Sequence, residues 1–221
     1  MINAELHKKI PKLELWEDVL TSNIFGLWEL LDYKYLLQFL SFSTNIDGEK
    51  ISSFLENKKI IDIKFWPQYR GIGEPDLVVT LNDNSFFIIE IKYFSNEHNK
   101  NIDVSETDIG YIEKGQLDKY LDIEIDNKKN DFIIYLTQDY QSLKYIRDSQ
   151  SSSKNILNNI YHLHWNELNE YLLKLDSMIG IEKNIVDKMI EYLDFKGFEY
   201  WTGFKYEKQY DVEILAKGFY E

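Results

Sequence analysis

Hydrophobic residues recur along this chain with two different periods, which divide it into helices and strands. Over residues 15–39 they return every three or four positions, which predicts a helix with one break. Alternating or β-rich apolar runs bounded by polar turns predict strands over residues 60–66, 77–81, 86–94, 132–136 and 160–164. Further helices are predicted over residues 108–121, 165–175 and 184–195, and short strands over the aromatic segment 198–221.

The order of these elements is typical of an α/β fold with a central mixed β-sheet flanked by helices. A chain of 221 residues, 44% of them hydrophobic, is long enough for one sizeable core and cramped for two. We therefore predict a single domain over residues 1–221. Its core spans about residues 15–176, and a C-terminal helix and aromatic tail follow over residues 177–221.

Three charged residues interrupt the most apolar part of the chain, the pair of strands joined at residues 82–84. A three-residue loop there sets a register in which Asp76 faces Glu90 across the hairpin. Side chains alternate between the faces of a strand, so Glu90 and Lys92 lie on the same face. The sequence thus brings two carboxylates and one ammonium group together at one end of a hairpin.

Charges in an apolar strand are costly unless they are paired or bind a ligand. Two facing carboxylates repel each other, and a divalent cation between them removes the repulsion. Carboxylate oxygens suit Mg²⁺, and we expect Mn²⁺ to substitute for it. The alternative is a salt-bridged hairpin with no bound ion.

Pro75-Asp76, followed after thirteen intervening residues by Glu90-Ile91-Lys92, resembles the signature of the PD-(D/E)XK nuclease superfamily. The segment from Gln116 to Tyr120 resembles the Q-x-x-x-Y element of the RecB-like branch of that superfamily. These positions are four apart, so on a helix they share a face.

The segment that begins at Glu17 resembles the first helix of bacterial members, in which a glutamate completes the metal site. Asp18 and Glu29 are alternatives for this role. Glu17 is also explained as a charge that favours the start of a helix.

The resemblance implies a restriction-endonuclease-like core and Mg²⁺-dependent hydrolysis of phosphodiester bonds, with DNA as the favoured substrate. It implies that Glu17, Asp76 and Glu90 bind the metal and that Lys92 assists the attacking water. Gln116 and Tyr120 are expected to position the nucleic-acid backbone. Restriction, repair and anti-phage defence are the expected contexts.

The net charge of −13, from 38 acidic and 25 basic residues, is unusual for a chain expected to bind a polyanion. We therefore expect weak affinity for nucleic acid alone and help from a protein partner or a homodimer. The chain has no cysteine, which excludes disulfides and thiolate chemistry. It has no signal-type start and no long apolar run, so we expect a cytoplasmic protein without a membrane segment.

Two other functions remain open on the sequence. The chain could have the same fold without catalytic activity, as a nucleic-acid-binding subunit. Its acidic, tyrosine-rich composition also suits a protein-interaction module. His162 and His164, two apart on a predicted strand, share a face and are a weaker metal candidate because no third ligand is near them in the sequence.

Overall fold

The structure, a computed structural model, describes residues 17–93, 115–138 and 159–199 and the single residues 2, 6, 7, 140, 142, 143 and 146. The helices are α1 (Glu17–Trp28), α2 (Tyr33–Leu40), α3 (Ser52–Leu55), α4 (Gln116–Tyr120), α5 (Trp165–Leu173) and α6 (Gly180–Phe195). The strands are β1 (Ile60–Phe65), β2 (Leu77–Leu81), β3 (Phe86–Ile91), β4 (Glu124–Ile125), β5 (Lys128–Lys129), β6 (Ile133–Thr137) and β7 (Ile160–His164).

Five strands form one mixed sheet in the order β1-β2-β3-β6-β7. The first three are antiparallel, and β6 and β7 continue the sheet parallel to β3. Helices pack against this sheet, so the predicted α/β fold with a mixed sheet is confirmed at this level. The central strand β3 is buried along its whole length, as expected for a strand covered on both faces.

The β2–β3 hairpin has the predicted register. Val78 pairs with Ile88 and Thr80 with Phe86. The Leu81 N–H donates to the Ser85 carbonyl oxygen at 2.8 Å, which closes the loop over residues 82–84. Asn84 takes a positive φ of 61°, a conformation that asparagine tolerates better than most residues.

The two faces of the sheet bury separate sets of side chains. Phe87, Ile89 and Ile91 of β3 join the larger core with helices α1, α2, α5 and α6. Ile88 lies on the opposite face, in a smaller core with Tyr120 of α4. Because side chains alternate, Glu90 also projects toward the α4 face.

The ends of several predicted elements need correction. The break in the first helix is present, and α2 begins after Asp32, whose carboxylate accepts a hydrogen bond from the Lys34 N–H at 2.9 Å. The last helix begins at Gly180, four residues before the predicted start at residue 184. Its first turn is not part of the buried apolar pattern, since Ile181 is exposed. Strand β3 ends at Ile91 instead of residue 94, and α5 ends at Leu173 instead of residue 175.

The short ribbon of β4 and β5 and the one-turn helix α3 were not predicted. Asp126 and Asn127 have positive φ values of 51° and 63°, which is the backbone geometry of a two-residue hairpin turn. Most of the segment predicted as strands over 198–221, and residues 108–114 of the predicted helix, lie outside the described residues. In the described part of the chain, no helix has the length and apolar character needed to cross a membrane.

Candidate functional site

The charged residues of the hairpin meet those of α1 and α4 at one end of β3. The Lys92 Nζ lies 2.8 Å from Glu90 Oε1 and 3.2 Å from Glu17 Oε1. All three side chains are largely shielded from solvent: Glu90 is 1% exposed and Lys92 5%, and Glu17 is half-buried. A single ammonium group therefore lies between two carboxylates in a low-dielectric environment.

Asp76 lies beside this cluster, directly before β2. Its Oδ2 accepts a hydrogen bond from the Ile91 N–H at 2.7 Å, so its carboxylate is held against the strand that carries Glu90. Its carbonyl oxygen accepts from the Trp66 N–H at 2.9 Å, which continues the β1–β2 pairing one step beyond the strands. Asp76 is 7% exposed.

Glu17 is the carboxylate of α1 that reaches the site. Its Oε2 accepts from the Tyr93 N–H at 2.9 Å while Oε1 faces Lys92. Asp18 and Glu29 are both exposed, and in the described part of the chain Lys92 forms ion pairs with Glu17 and Glu90 alone. The structure thus favours Glu17 over the two alternatives as the third carboxylate.

Gln116 and Tyr120 share a face of α4, as their spacing predicts. The Gln116 Nε2 lies 2.8 Å from Glu90 Oε1 and 2.9 Å from the Tyr120 hydroxyl. The Tyr120 hydroxyl in turn donates to the Glu74 carbonyl oxygen at 3.0 Å. The amide of Gln116 therefore orients a site carboxylate, a contact that the sequence did not reveal.

Two further contacts were not predicted from the sequence. At Gly73, whose φ is 150°, an added Cβ would lie 3.0 Å from Tyr120 Cε1, so the absence of a side chain lets the tyrosine approach the hairpin. The fully buried Trp165 donates from Nε1 to the Lys92 carbonyl oxygen at 3.1 Å. Glycine and tryptophan gave no sequence signal of these roles, because both contacts join segments far apart in the chain.

The electrostatics of the site follow from three carboxylates and one ammonium group, a formal charge of −2. Burial, and then the neighbouring Asp76, raise the pKa of Glu90 to about 8. Burial raises the pKa of Asp76 to about 6, against the opposing effect of Lys92. Burial alone would lower the pKa of Lys92, but Glu90 and the other carboxylates outweigh it and raise that pKa.

The residues fit a divalent cation chemically. Glu90 Oε2 is buried and has no hydrogen-bond partner among the described residues, although a carboxylate oxygen in a protein interior normally has one. The oxygen donors and the excess negative charge match what Mg²⁺ prefers. No three His, Asp or Glu side chains in the described ranges form a ready metal-binding group. The other oxygen of Glu90, Oε1, accepts hydrogen bonds from Lys92 and Gln116.

The histidine pair of β7 is engaged in structural contacts. The His162 Nε2 lies 3.1 Å from Thr44 Oγ1, and the His164 Nδ1 lies 3.3 Å from the Thr137 carbonyl oxygen. Burial, with a smaller effect of His164, lowers the pKa of His162 to about 4. The described residues offer this pair no third ligand.

Comparisons with protein-family models, with curated proteins and with solved structures find no match for this chain.

Proposed function

We propose that this protein is a divalent-cation-dependent nuclease with a restriction-endonuclease-like core, and that DNA is its substrate. The observation that carries the proposal is the cluster at the end of β3. There the Lys92 ammonium group pairs with Glu17 and Glu90, and Asp76 is held beside them by the Ile91 N–H. Glu90 keeps a buried oxygen without a partner among the described residues. A purely structural ion pair needs one carboxylate for one ammonium group, and this site has two more.

The three carboxylates would hold Mg²⁺, and Mn²⁺ would replace it. When bound, the metal supplies positive charge that polarises a phosphodiester and lowers the pKa of a nearby water. Lys92 would stabilise the negative charge that develops on the phosphate. Gln116 holds the Glu90 carboxylate in place, and Tyr120 holds Gln116.

The test measures metal binding and cleavage on the same variants. Isothermal titration calorimetry with Mn²⁺ is expected to show binding that disappears in Asp76→Ala and Glu90→Ala. Cleavage of single- and double-stranded DNA and RNA with Mg²⁺ or Mn²⁺ is expected to disappear in these variants and in Lys92→Ala. Asp187→Ala is the matched control, since it removes an exposed carboxylate that pairs with Lys183 on α6.

Cleavage that survives in either site carboxylate variant would refute the assignment. Mn²⁺ binding without cleavage of any of the four substrates would favour the inactive subunit with the same fold. Restriction, repair or anti-phage defence is the biological setting in which we place the activity. Because the chain is acidic, we expect a protein partner or a second copy of the chain to supply affinity for the nucleic acid.

A further inference from the structure

The face of the sheet that carries Glu90 continues sideways to the edge strand β7. Glu90 pairs with Tyr135 of β6, and Tyr135 pairs with His162 of β7. Residues paired in neighbouring parallel strands project to the same face of a sheet. One step further toward the carboxyl ends, Thr137 pairs with His164, so His164 lies on the same face and at the same end of the sheet as Lys92.

An exposed aromatic ring lies at this end of the sheet. Tyr140 is 72% exposed, and its ring centroid is 5.1 Å from that of His164. Its hydroxyl accepts a hydrogen bond from Asn166 Nδ2 at 3.1 Å. The ring is thus held by an imidazole on one side and by an amide at its tip, while most of its surface faces solvent.

We infer that Tyr140, supported by His164, is a stacking platform for a nucleobase of the strand that is cut at Lys92. This inference rests on the proposed function and adds a substrate subsite to it. Strands β3 and β7 are two strand spacings apart, about 10 Å. At about 3.4 Å per stacked nucleotide, that distance corresponds to roughly three nucleotides.

Stacking also suits the charge of the protein. A base stacks on an aromatic ring through its π-face, and this contact needs no lysine or arginine. In a chain with a net charge of −13, it supplies affinity that does not depend on a basic groove. Bases inside a duplex have covered faces, so the platform selects single strands, frayed ends or a displaced base.

The experiment measures the affinity of the full chain for one fluorescently labelled DNA, as a single strand and as a blunt duplex, by fluorescence anisotropy with Ca²⁺. Tyr140→Ala is expected to weaken single-strand binding by roughly 5- to 150-fold, as loss of one base stack does. Tyr140→Trp and Tyr140→Phe are expected to retain it within about threefold, since both keep an aromatic face. Phe42→Ala is the control, since it removes another exposed aromatic ring, 47% exposed, beside Tyr171 of the larger core.

Unchanged single-strand affinity in Tyr140→Ala would overturn the platform and leave the proposed nuclease standing. Equal losses in the Ala, Phe and Trp variants would also overturn it, because they would indicate a contact of the hydroxyl group. Binding of neither form of DNA by the unmodified chain would also overturn the platform, and the cleavage assays would then decide the proposed nuclease separately.

A different observation, at the opposite edge of the sheet, carries a second inference. In an antiparallel pair, successive residues direct their backbone groups to alternate sides. The Trp66 N–H donates to Asp76, so Lys64 and Asp62 direct theirs toward β2. Ile63 and Phe65 then direct theirs outward, where no described residue hydrogen-bonds to them.

We propose that a second copy of the chain pairs with β1 through this edge, antiparallel and centred on Ile63. In this register each Asp62 faces the partner's Lys64. Asp62 and Lys64 are exposed, so the partner meets two charge pairs at this edge. A parallel arrangement in register would instead place Asp62 opposite Asp62, which is repulsive.

Sedimentation velocity over a range of concentrations tests this pairing without any nuclease assay. The unmodified chain is expected to dimerise in the micromolar range, as small interfaces do. Asp62→Lys and Lys64→Asp are each expected to give monomers, and the double exchange to restore the dimer because it restores opposite charges. Asp187→Lys on α6 is the control for a change of two charge units.

A chain that stays monomeric throughout the range would refute the pairing. A dimer that survives both single exchanges would place the interface elsewhere. Failure of the double exchange to restore a dimer lost in both single variants would also count against the antiparallel register.

Discussion

The Lys92 Nζ lies 2.8 Å from Glu90 Oε1, and the two side chains leave the same face of the sheet two residues apart. A direct hydrogen bond between neighbours on one strand face holds both groups at the end of β3. The ammonium group thereby balances part of the charge of Glu17 and Glu90. A divalent cation that binds these carboxylates must compete with it.

Replacing Lys92 by methionine is therefore expected to abolish cleavage and to strengthen metal binding. Removing one positive charge about 4 Å from a carboxylate is worth about 1–4 kcal/mol, depending on the local dielectric. We expect Mn²⁺ to bind about tenfold or more tightly in Lys92→Met. Calorimetric titration of the variant and the unmodified chain measures the difference.

The same variant has a second signature in its stability. Lys92→Met leaves the Glu17, Asp76 and Glu90 carboxylates without the ammonium group beside them, so the variant is expected to unfold at lower temperature in EDTA and to recover with Mn²⁺. Lys183→Met, which breaks an exposed pair with Asp187, is the control. Mn²⁺ affinity that stays equal or falls would contradict competition between Lys92 and the metal.

Glu90→Gln is expected to stabilise the protein in EDTA at alkaline pH. The pKa of Glu90 rises from an ordinary value of 4.5 to about 8, because the carboxyl group is buried and lies near Asp76. The folded state keeps a proton that the unfolded chain releases between these values, so its contribution to stability is lost as pH rises through them. Glutamine is neutral throughout and avoids this loss.

We expect Glu90→Gln to gain about 1–3 kcal/mol at pH 8 and nothing at pH 4. Urea unfolding of both proteins in EDTA across this range measures the gain. Glu191→Gln, at an exposed position paired with Lys188, is the control. A difference that does not grow with pH would show that Glu90 is already ionised in the folded protein.

For His162 we expect the opposite dependence of stability on pH. Burial, and then His164, lower its pKa from 6.5 to about 4. Between these pH values the imidazole binds a proton in the unfolded chain but not in the folded protein. The contribution of His162 to the free energy of unfolding is therefore complete above about pH 6.5 and is lost as pH falls toward 4. The ring is half-buried, so we expect a loss of about 1–2 kcal/mol after screening by solvent.

The comparison that isolates this effect is the unfolding free energy of the unmodified chain minus that of His162→Gln, measured between pH 4 and pH 7. The difference is expected to shrink as pH falls. Thr44→Val removes the contact to the imidazole Nε2 but keeps the ring, so it should retain the pH dependence. A difference that does not change with pH would show that folding does not lower the pKa of His162.

Whether a feature could be predicted from the sequence depends on how far apart in the chain its interacting residues lie. The β2–β3 register was predicted correctly, because alternation and a polar turn fix pairing between residues close in the chain. The bounds of β7 were also predicted correctly. The gathering of Glu90 and Lys92 on one face also follows from alternation alone. The two-residue strands β4 and β5 escaped prediction because so short a segment carries no period.

The rest of the site depends on contacts that no local pattern contains. The choice of Glu17 over Asp18 and Glu29 depends on how α1 is rotated against the sheet, which the larger core decides. Gln116 reaches Glu90 because α4 packs on the face of the sheet to which Glu90 projects. The spacing of Gln116 and Tyr120 predicted a shared face, but not the carboxylate that this face meets.

Gln116→Ala is expected to weaken metal binding, because its amide holds Glu90 by a 2.8 Å hydrogen bond. Partners of a metal-binding group typically contribute about 10- to 100-fold to metal affinity, and we expect a loss in that range for Mn²⁺. Tyr120→Phe removes the hydroxyl that binds Gln116 and is expected to cause a smaller loss of the same kind. Calorimetric titration of each variant is the measurement, with Gln38→Ala, at an exposed position on α2, as the amide control. If Gln116 instead contacted only the nucleic-acid backbone, Gln116→Ala would raise the KM for DNA at saturating Mn²⁺ and leave the affinity for Mn²⁺ unchanged. That outcome would return Gln116 to the substrate-binding role that the sequence resemblance implied.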